Sequence, residues 1–222
     1  MPPSDDLFIL LPVKKLTTSK TRLSPVLSPE ERSRLTLLML EDVIKSVSGQ
    51  QNAFVVTGDQ TVGTFAIEHG LGLIESGLGD LNADLVYART RCIAAGASSI
   101  LFLLPDLPTL STRDIEGMIE LGRDAPSAVV APSRDGGTNA LLLSPCDLIE
   151  PAFGYMSLER HVRELRAVSV EPSVYSSLGT ELDIDTPEDA RILLEIGGRF
   201  CGGARALSYL KEIGESRLGG VL

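Results

Sequence analysis

The amino-acid sequence predicts an α/β fold in which a mostly parallel sheet is covered by helices on both faces. Three observations predict it. Short apolar runs alternate with longer amphipathic segments along the whole chain. The runs at residues 7–11 and 99–104 are apolar at nearly every position rather than every second one. The segments between runs open on helix-capping residues. A strand apolar on both sides needs cover on both sides, which makes three layers.

The elements follow in order. Residues 7–11 form the first strand. Ser28-Pro29-Glu30-Glu31 opens the first long helix, with Ser at the cap, Pro in the first turn and Glu three residues after the cap. Leu35, Leu38, Met39, Val43 and Val47 share a face of that helix, which stops near Gly49. Residues 53–57 are the next strand and Gly58-Asp59 its turn. A helix over 61–69 and a short strand over 71–75 follow. The glycine loop 77–82 leads into a helix through about Ala95. Residues 99–104 are the most apolar strand, ended by Pro105-Asp106-Leu107-Pro108. Ser111 caps a helix to about Gly122, with Asp114 at the third position. Strands at 128–131 and 140–143 flank a polar turn at 133–139. Residues 157–166 read as a helix, 168–174 as a strand and 181–185 as extended. Thr186-Pro187-Glu188-Asp189 caps a helix to about Ile196, and one more amphipathic helix covers roughly 204–213. Residues 1–197 are read as one domain and 198–222 as a helical tail, packed on it or at an interface. Ala206, Leu207, Leu210 and Ile213 are available either to a homodimer or to closing the core.

Composition narrows the partners. With 222 residues, 43% hydrophobic, 5% aromatic and no Trp, the core is built from Leu, Ile, Val and Ala. No apolar run approaches the roughly 20 residues of a membrane span. The N-terminus lacks the basic start of a signal peptide. Cys92, Cys146 and Cys201 are odd in number and widely spaced, against a disulfide scaffold, so a cytoplasmic location is expected. A net charge of −10 argues against nucleic acid. Small anions remain admissible, because Lys14, Lys15, Lys20 and Arg22 cluster directly after the first strand.

Ligands of parallel sheets bind at the carboxyl ends of strands, which selects residues 12–22, 58–59, 105–108 and 133–139. No Gly-Lys dipeptide exists for a P-loop, and residues 77–82 miss the last glycine of a dinucleotide fingerprint. His69 and His161 stand apart without metal-ligand spacing. Carboxylates remain. Asp106 lies just beyond a buried strand, where it either organises the turn or serves chemistry. Asp183 and Asp185, two apart in an extended segment, face the same side. They repel unless a cation lies between them, and oxygen-only ligation suits Mg²⁺. Their alternative role, capping the next helix, is already filled by Thr186 and Asp189. Phosphoryl or nucleotidyl transfer needs this pairing of a basic loop with an acidic metal site.

These residues resemble a known family. Pro12-Val13-Lys14 with Ser19-Lys20-Thr21-Arg22-Leu23, Leu104-Pro105-Asp106-Leu107-Pro108, Pro132-Ser133 with Asp135-Gly136-Gly137-Thr138-Asn139, Phe153-Gly154 with Ser157 and His161, and Leu182-Asp183-Ile184-Asp185-Thr186-Pro187-Glu188-Asp189 are similar, in this order, to the CofC/FbiD guanylyltransferases of coenzyme F420 biosynthesis. The resemblance implies a GT-A-like nucleotide-diphospho-sugar transferase fold. It implies transfer of GMP from GTP to a small phosphorylated carboxylic acid, 2-phospho-L-lactate first, with phosphoenolpyruvate or 3-phosphoglycerate as alternatives. It matches Thr138, Gly154 and Ser157 to the phospho-acid site and Asp106, Asp183 and Asp185 to Mg²⁺.

Residue chemistry adds three expectations. Lys14, Lys20 and Arg22 balance the β- and γ-phosphates. The Gly136-Gly137 amides and the start of the helix at Ser157 receive an anion. Thr57, Asp59, Gly79 and Asn82 are placed near the guanine by position only. A non-catalytic nucleotide-binding regulator is the competing class. Replacing Asp106 with Ala separates the two: for an enzyme, pyrophosphate release from GTP is lost while circular dichroism reports an intact fold.

Overall fold

The computed structural model describes residues 6–200 and 204–214, with residues 197–200 described by their backbone alone. Cys201 lies outside the described residues, whereas Cys92 and Cys146 are buried free thiols. The elements are β1 (Leu7–Pro12), α1 (Pro29–Val47), β2 (Asn52–Thr57), α2 (Gln60–Glu68), β3 (Gly72–Glu75), α3 (Leu81–Ala94), β4 (Ser99–Leu103), α4 (Thr112–Leu121), β5 (Ser127–Pro132), β6 (Thr138–Ser144), α5 (Ser157–Ala167), β7 (Ser173–Val174), α6 (Leu178–Glu181), α7 (Pro187–Phe200) and α8 (Arg205–Ile213).

The seven strands form one sheet in the order β3-β2-β1-β4-β6-β5-β7. Among the described residues only β6 runs against its neighbours, β4 and β5; the other pairings are parallel. Strand periodicity divides β1 between two apolar layers. Leu7, Ile9 and Leu11 join Val43 and Val47 of α1, Val62 of α2 and Ile115 of α4. Phe8 and Leu10 join Leu85 and Ala88 of α3 and Leu165 of α5. This is the three-layer arrangement expected of continuous apolar strands.

A third cluster packs Leu35 and Met39 of α1 against Leu182, Ile184, Ala190, Leu193 and the α8 residues Ala206, Leu207 and Leu210. The apolar face of the C-terminal helix is therefore spent on this chain's own core. The same cluster seats residues 182–186 beside the end of β4, where the Ile184 amide donates to the Asp106 carbonyl at 3.1 Å.

Capping followed the sequence closely. Ser28 and Glu31 make the reciprocal box at α1, and Ser111 with Asp114 does so at α4. Two segments differ from expectation. The strand expected over 168–174 is only Ser173–Val174, because α5 continues through Ala167 and Ser169 then turns into the left-handed region at φ 63°. Residues 181–185, expected to be extended, begin inside α6, a single turn whose cap Ser177 accepts the Thr180 amide.

Helix α8 has no capping side chain of its own at Ala204. Asp42 of α1 supplies one across the chain, accepting the Arg205 and Ala206 amides at 2.8 and 2.9 Å. Asp42 is buried, so its removal leaves two amides unpaired. Asp42→Ala is expected to cost about 1–3 kcal/mol in urea unfolding, and Asp42→Asn, which keeps one acceptor, less.

Candidate active site

The ends of β1 and β4 and the beginning of the antiparallel β6 meet at a cavity of about 440 Å³. Lys14, Lys20, Arg22, Asp106, Thr138, Asn139, Gly154, Asp183 and Asp185 all line it. The chain after β1 reaches the cavity through two short 3₁₀ turns, Leu16–Thr18 and Thr21–Leu23. Lys20 joins them in the left-handed region, at φ 50° and ψ 41°. That conformation is uncommon for a residue with a Cβ and costs about 1 kcal/mol. It is held by its surroundings: Asp59 accepts the Leu16 amide at 3.0 Å, and Thr36 donates to the Ser19 hydroxyl at 3.0 Å.

The kink delivers the Lys20 ammonium between two carboxylates. Its Nζ lies 2.6 Å from Asp106 Oδ2 and 2.6 Å from Asp185 Oδ1. Burial works against the charge on Lys20, but the two aspartates outweigh it and hold its pKa above the usual lysine value. Burial also opposes ionisation of Asp185, yet Lys20 first, then Arg22 and Lys14, bring its pKa below normal. Asp183 has no such partner among the described residues. Burial, with Asp106 close by, pushes its pKa up to about 6, although Asn139 donates to its Oδ1 at 3.2 Å. Asn139 is buried and also donates to the Thr180 carbonyl, so it both holds α6 and orients Asp183. The sequence had placed Asn139 only as part of a turn.

The three carboxylates expected to hold a metal all line the cavity. Among the described residues no three His, Cys, Asp or Glu side chains form a ready metal cluster. An ammonium occupies the space between Asp106 and Asp185, because an amine on a long side chain reaches what the sequence had reserved for a divalent ion. Lys20, expected on the phosphates, pairs with these two carboxylates. Lys14 and Arg22 line the cavity without a direct ion pair among the described residues. The site still fits a cation elsewhere. Among the described residues, three carboxylates face one bonded ammonium, and Asp106 Oδ1 is buried with no hydrogen-bond partner. Oxygen donors of this kind suit Mg²⁺.

The polar turn also differs from expectation. Its glycine amides are not open to an anion: Gly136 donates to the Ser133 carbonyl and Gly137 to Asp135 Oδ1. The first two amides of α5 are likewise taken, Ser157 by the Gly154 carbonyl and Leu158 by the Gly136 carbonyl. Thr138 and Gly154 reach the cavity, but Ser157 is fully buried behind it and donates to the Thr138 hydroxyl at 3.2 Å. Gly154, at φ 131°, has open space where a Cβ would stand.

None of the four residues proposed near the base lines the cavity. Thr57 is buried and accepts the Asp59 amide. Asp59 caps α2 as well as tethering Leu16. Gly79 serves a turn at φ 85°. Asn82 clamps the Phe153 backbone from both sides, donating to its carbonyl and accepting its amide. Position selected them, but the side chains of Thr57, Asp59 and Asn82 are engaged within the fold.

Comparison with known proteins adds to this picture. Residues 7–217 match the family described as "Guanylyl transferase CofC like". A phosphoenolpyruvate guanylyltransferase of Rubrobacter xylanophilus is 36% identical over 195 residues, covering 86% of this chain and 95% of its own. A 2-phospho-L-lactate guanylyltransferase of Methanothermobacter thermautotrophicus is 33% identical over 206 residues, covering 92% and 89%. Among solved structures, a protein of Desulfovibrio desulfuricans G20 assigned to the nucleotide-diphospho-sugar transferases superposes with a TM-score of 0.77 over 97% of each chain, at 17% identity. A cytidylyltransferase of Leptospira borgpetersenii follows with a TM-score of 0.59 over 94% and 93%, at 16% identity. These two likenesses concern the fold, and they agree with the fold class read from the sequence.

The raised pKa of Asp183 has a consequence for stability. The group ionises near pH 3.8 when unfolded and at about 6 when folded, so its ionisation favours the unfolded chain. The penalty is absent below pH 4, grows between 4 and 6, and is complete above 6. Asp183→Asn is therefore expected to stabilise the metal-free protein by about 1–3 kcal/mol above pH 6 and to leave it unchanged below pH 4. Denaturant unfolding in EDTA across that range checks the sign.

Proposed function

The chain belongs to the CofC-like guanylyl transferase family, and from that premise we propose that it moves GMP from GTP to 2-phospho-L-lactate, releasing pyrophosphate. It is a guanylyltransferase, hence a nucleotidyltransferase. The acceptor is the part we infer. Phosphoenolpyruvate, named for the Rubrobacter relative, has the same two charged groups and is the second reading. GTP and the phospho-acid are the partners of this reading and the cytoplasm is its compartment, in keeping with the two unpaired buried thiols.

The observation that carries the proposal is the meeting of uncompensated carboxylates with a cationic cavity wall. In the reaction a phosphate oxygen of the acceptor attacks the α-phosphorus of GTP. A new P–O bond forms as the bond to the β-phosphate oxygen breaks, and pyrophosphate leaves with the electron pair. The nucleophile is already an anion, so no general base is needed; the buried His161 is not required for one. We assign Mg²⁺ to Asp106 and Asp183, where it would neutralise phosphate charge. Lys14 and Arg22 are the cations left for the triphosphate, offsetting repulsion that amounts to about 4 kcal/mol for one pair of charges ~4 Å apart at an effective dielectric of ~20. Lys20 ties Asp106 to Asp185 and so sets the position of the metal-binding carboxylate. Thr138 offers its hydroxyl to the acceptor.

The test is pyrophosphate release with GTP, Mg²⁺ and a panel of 2-phospho-L-lactate, phosphoenolpyruvate and 3-phosphoglycerate. Turnover is expected, fastest with 2-phospho-L-lactate; no turnover with any of the three defeats the reading. Asp185 acts through Lys20 in this account. Asp185→Asn is therefore expected to lower kcat by about 10–10²-fold, and Asp106→Asn by about 10³-fold or more.

A further inference from the structure

Behind the cavity wall, a buried imidazole is hydrogen-bonded to the hydroxyl of Thr138, a residue of that wall. His161 is fully buried on α5, its ring edge-on to Phe153 at 5.3 Å between centroids. Its two nitrogens meet partners of different kinds. Nε2 lies 2.9 Å from the Ala152 backbone nitrogen, and Nδ1 lies 3.0 Å from Thr138 Oγ1. A backbone amide only donates, so Nε2 must carry a lone pair and the proton of the neutral ring sits on Nδ1. Nδ1–H then donates to Thr138. Ser157 donates to the same oxygen at 3.2 Å. A hydroxyl has two lone pairs and one proton. With both lone pairs taken, Thr138 has only its O–H left, and Thr138 lines the cavity.

We propose that His161 is a positioning residue for acceptor recognition, which with Ser157 fixes Thr138 as an obligate hydrogen-bond donor aimed into the cavity. The inference rests on the reading of the cavity as a phospho-acid site. A hydroxyl free to rotate accepts or donates alike. One whose acceptor positions are filled by the protein favours an anionic oxygen and leaves a ligand N–H or O–H without a partner, which selects for the phosphate or carboxylate of an acceptor. Burial, with Arg160 as the nearby charge, depresses the His161 pKa to about 4, so the ring is neutral at pH 7, as the wiring requires. The arrangement also accounts for Ser157. Its hydroxyl is sealed from the cavity, yet it bears on the acceptor through Thr138.

His161 also anchors the Ala152 amide, so the test must separate the two roles. The amide nitrogen of Asn stands near the position of a histidine Nδ1, and the amide oxygen of Gln near that of Nε2. His161→Asn keeps the donor to Thr138, His161→Gln keeps the acceptor for Ala152, and His161→Phe keeps neither. Kinetics with GTP and 2-phospho-L-lactate or phosphoenolpyruvate are expected to show the acceptor KM raised about tenfold in the Gln and Phe variants. The Asn variant is expected within about threefold of the parent, with the KM for GTP unchanged throughout. Adding His161→Phe to Thr138→Val is expected to cost little more than Thr138→Val alone. Asn behaving as badly as Phe, or additive effects in the double variant, overturns the proposal. A second readout needs no turnover. Imidazole ¹⁵N resonances of the unliganded protein at pH 7 should report a neutral ring protonated on Nδ1. An Nε2–H tautomer or an imidazolium overturns the wiring, even where the acceptor panel is inactive and the functional reading fails on its own.

Discussion

Three carboxylates brought together at the end of a sheet repel one another, and the neighbourhood of this site is organised around containing that repulsion. The Lys20 ammonium holds Asp106 and Asp185 at 2.6 Å each, and its placement requires a left-handed residue between two tight turns. That kink in turn requires the tethers from Asp59 and Thr36. Among the described residues Asp183 has no cationic partner, and it is ionised only at a cost that burial and Asp106 impose. A site carrying such a cost has a reason to bind positive charge. The same imbalance that weakens the fold underlies the metal-assisted reaction proposed for this cavity.

The direction of one strand completes the site. In a wholly parallel sheet only carboxyl ends of strands would meet at the cavity. Because β6 runs antiparallel between β4 and β5, it presents its first residues there instead. Thr138 and Asn139 thereby line the cavity together with Asp106, and Asn139 orients Asp183. Helix α5 backs this strand with Ser157 and His161, while Asn82 and His161 pin the 152–154 segment that carries Gly154. The residue proposed to meet the acceptor and the one that orients Asp183 are therefore adjacent on one strand.

Much of the fold was legible because it rests on local rules. The apolar runs at β1 and β4 set the layers, and the boxes at Ser28 and Ser111 set helix starts, since each depends on residues within a few positions of one another. The strand over 168–174 was overestimated because apolar character alone does not stop a helix, whereas the left-handed Ser169 does. The short helix at Leu178–Glu181 was missed because its cap, Ser177, is stabilised by Asp114 from a distant element.

Residue types and spacing by themselves determined that an acidic group and a basic loop would meet at the strand ends, since a parallel sheet places those ends together whatever the loops do. Only the tertiary structure decided how the charges pair. That Lys20 lies on Asp106 and Asp185, 86 and 165 residues away, is a matter of reach and of one backbone kink. The glycine amides, the start of α5 and Asn82 looked free in sequence and are occupied in the fold, because buried polar groups find partners wherever packing brings them. His161 looked isolated for the complementary reason: its partners at Ala152 and Thr138 are 9 and 23 residues away, and the folded chain alone brings them within hydrogen-bonding distance.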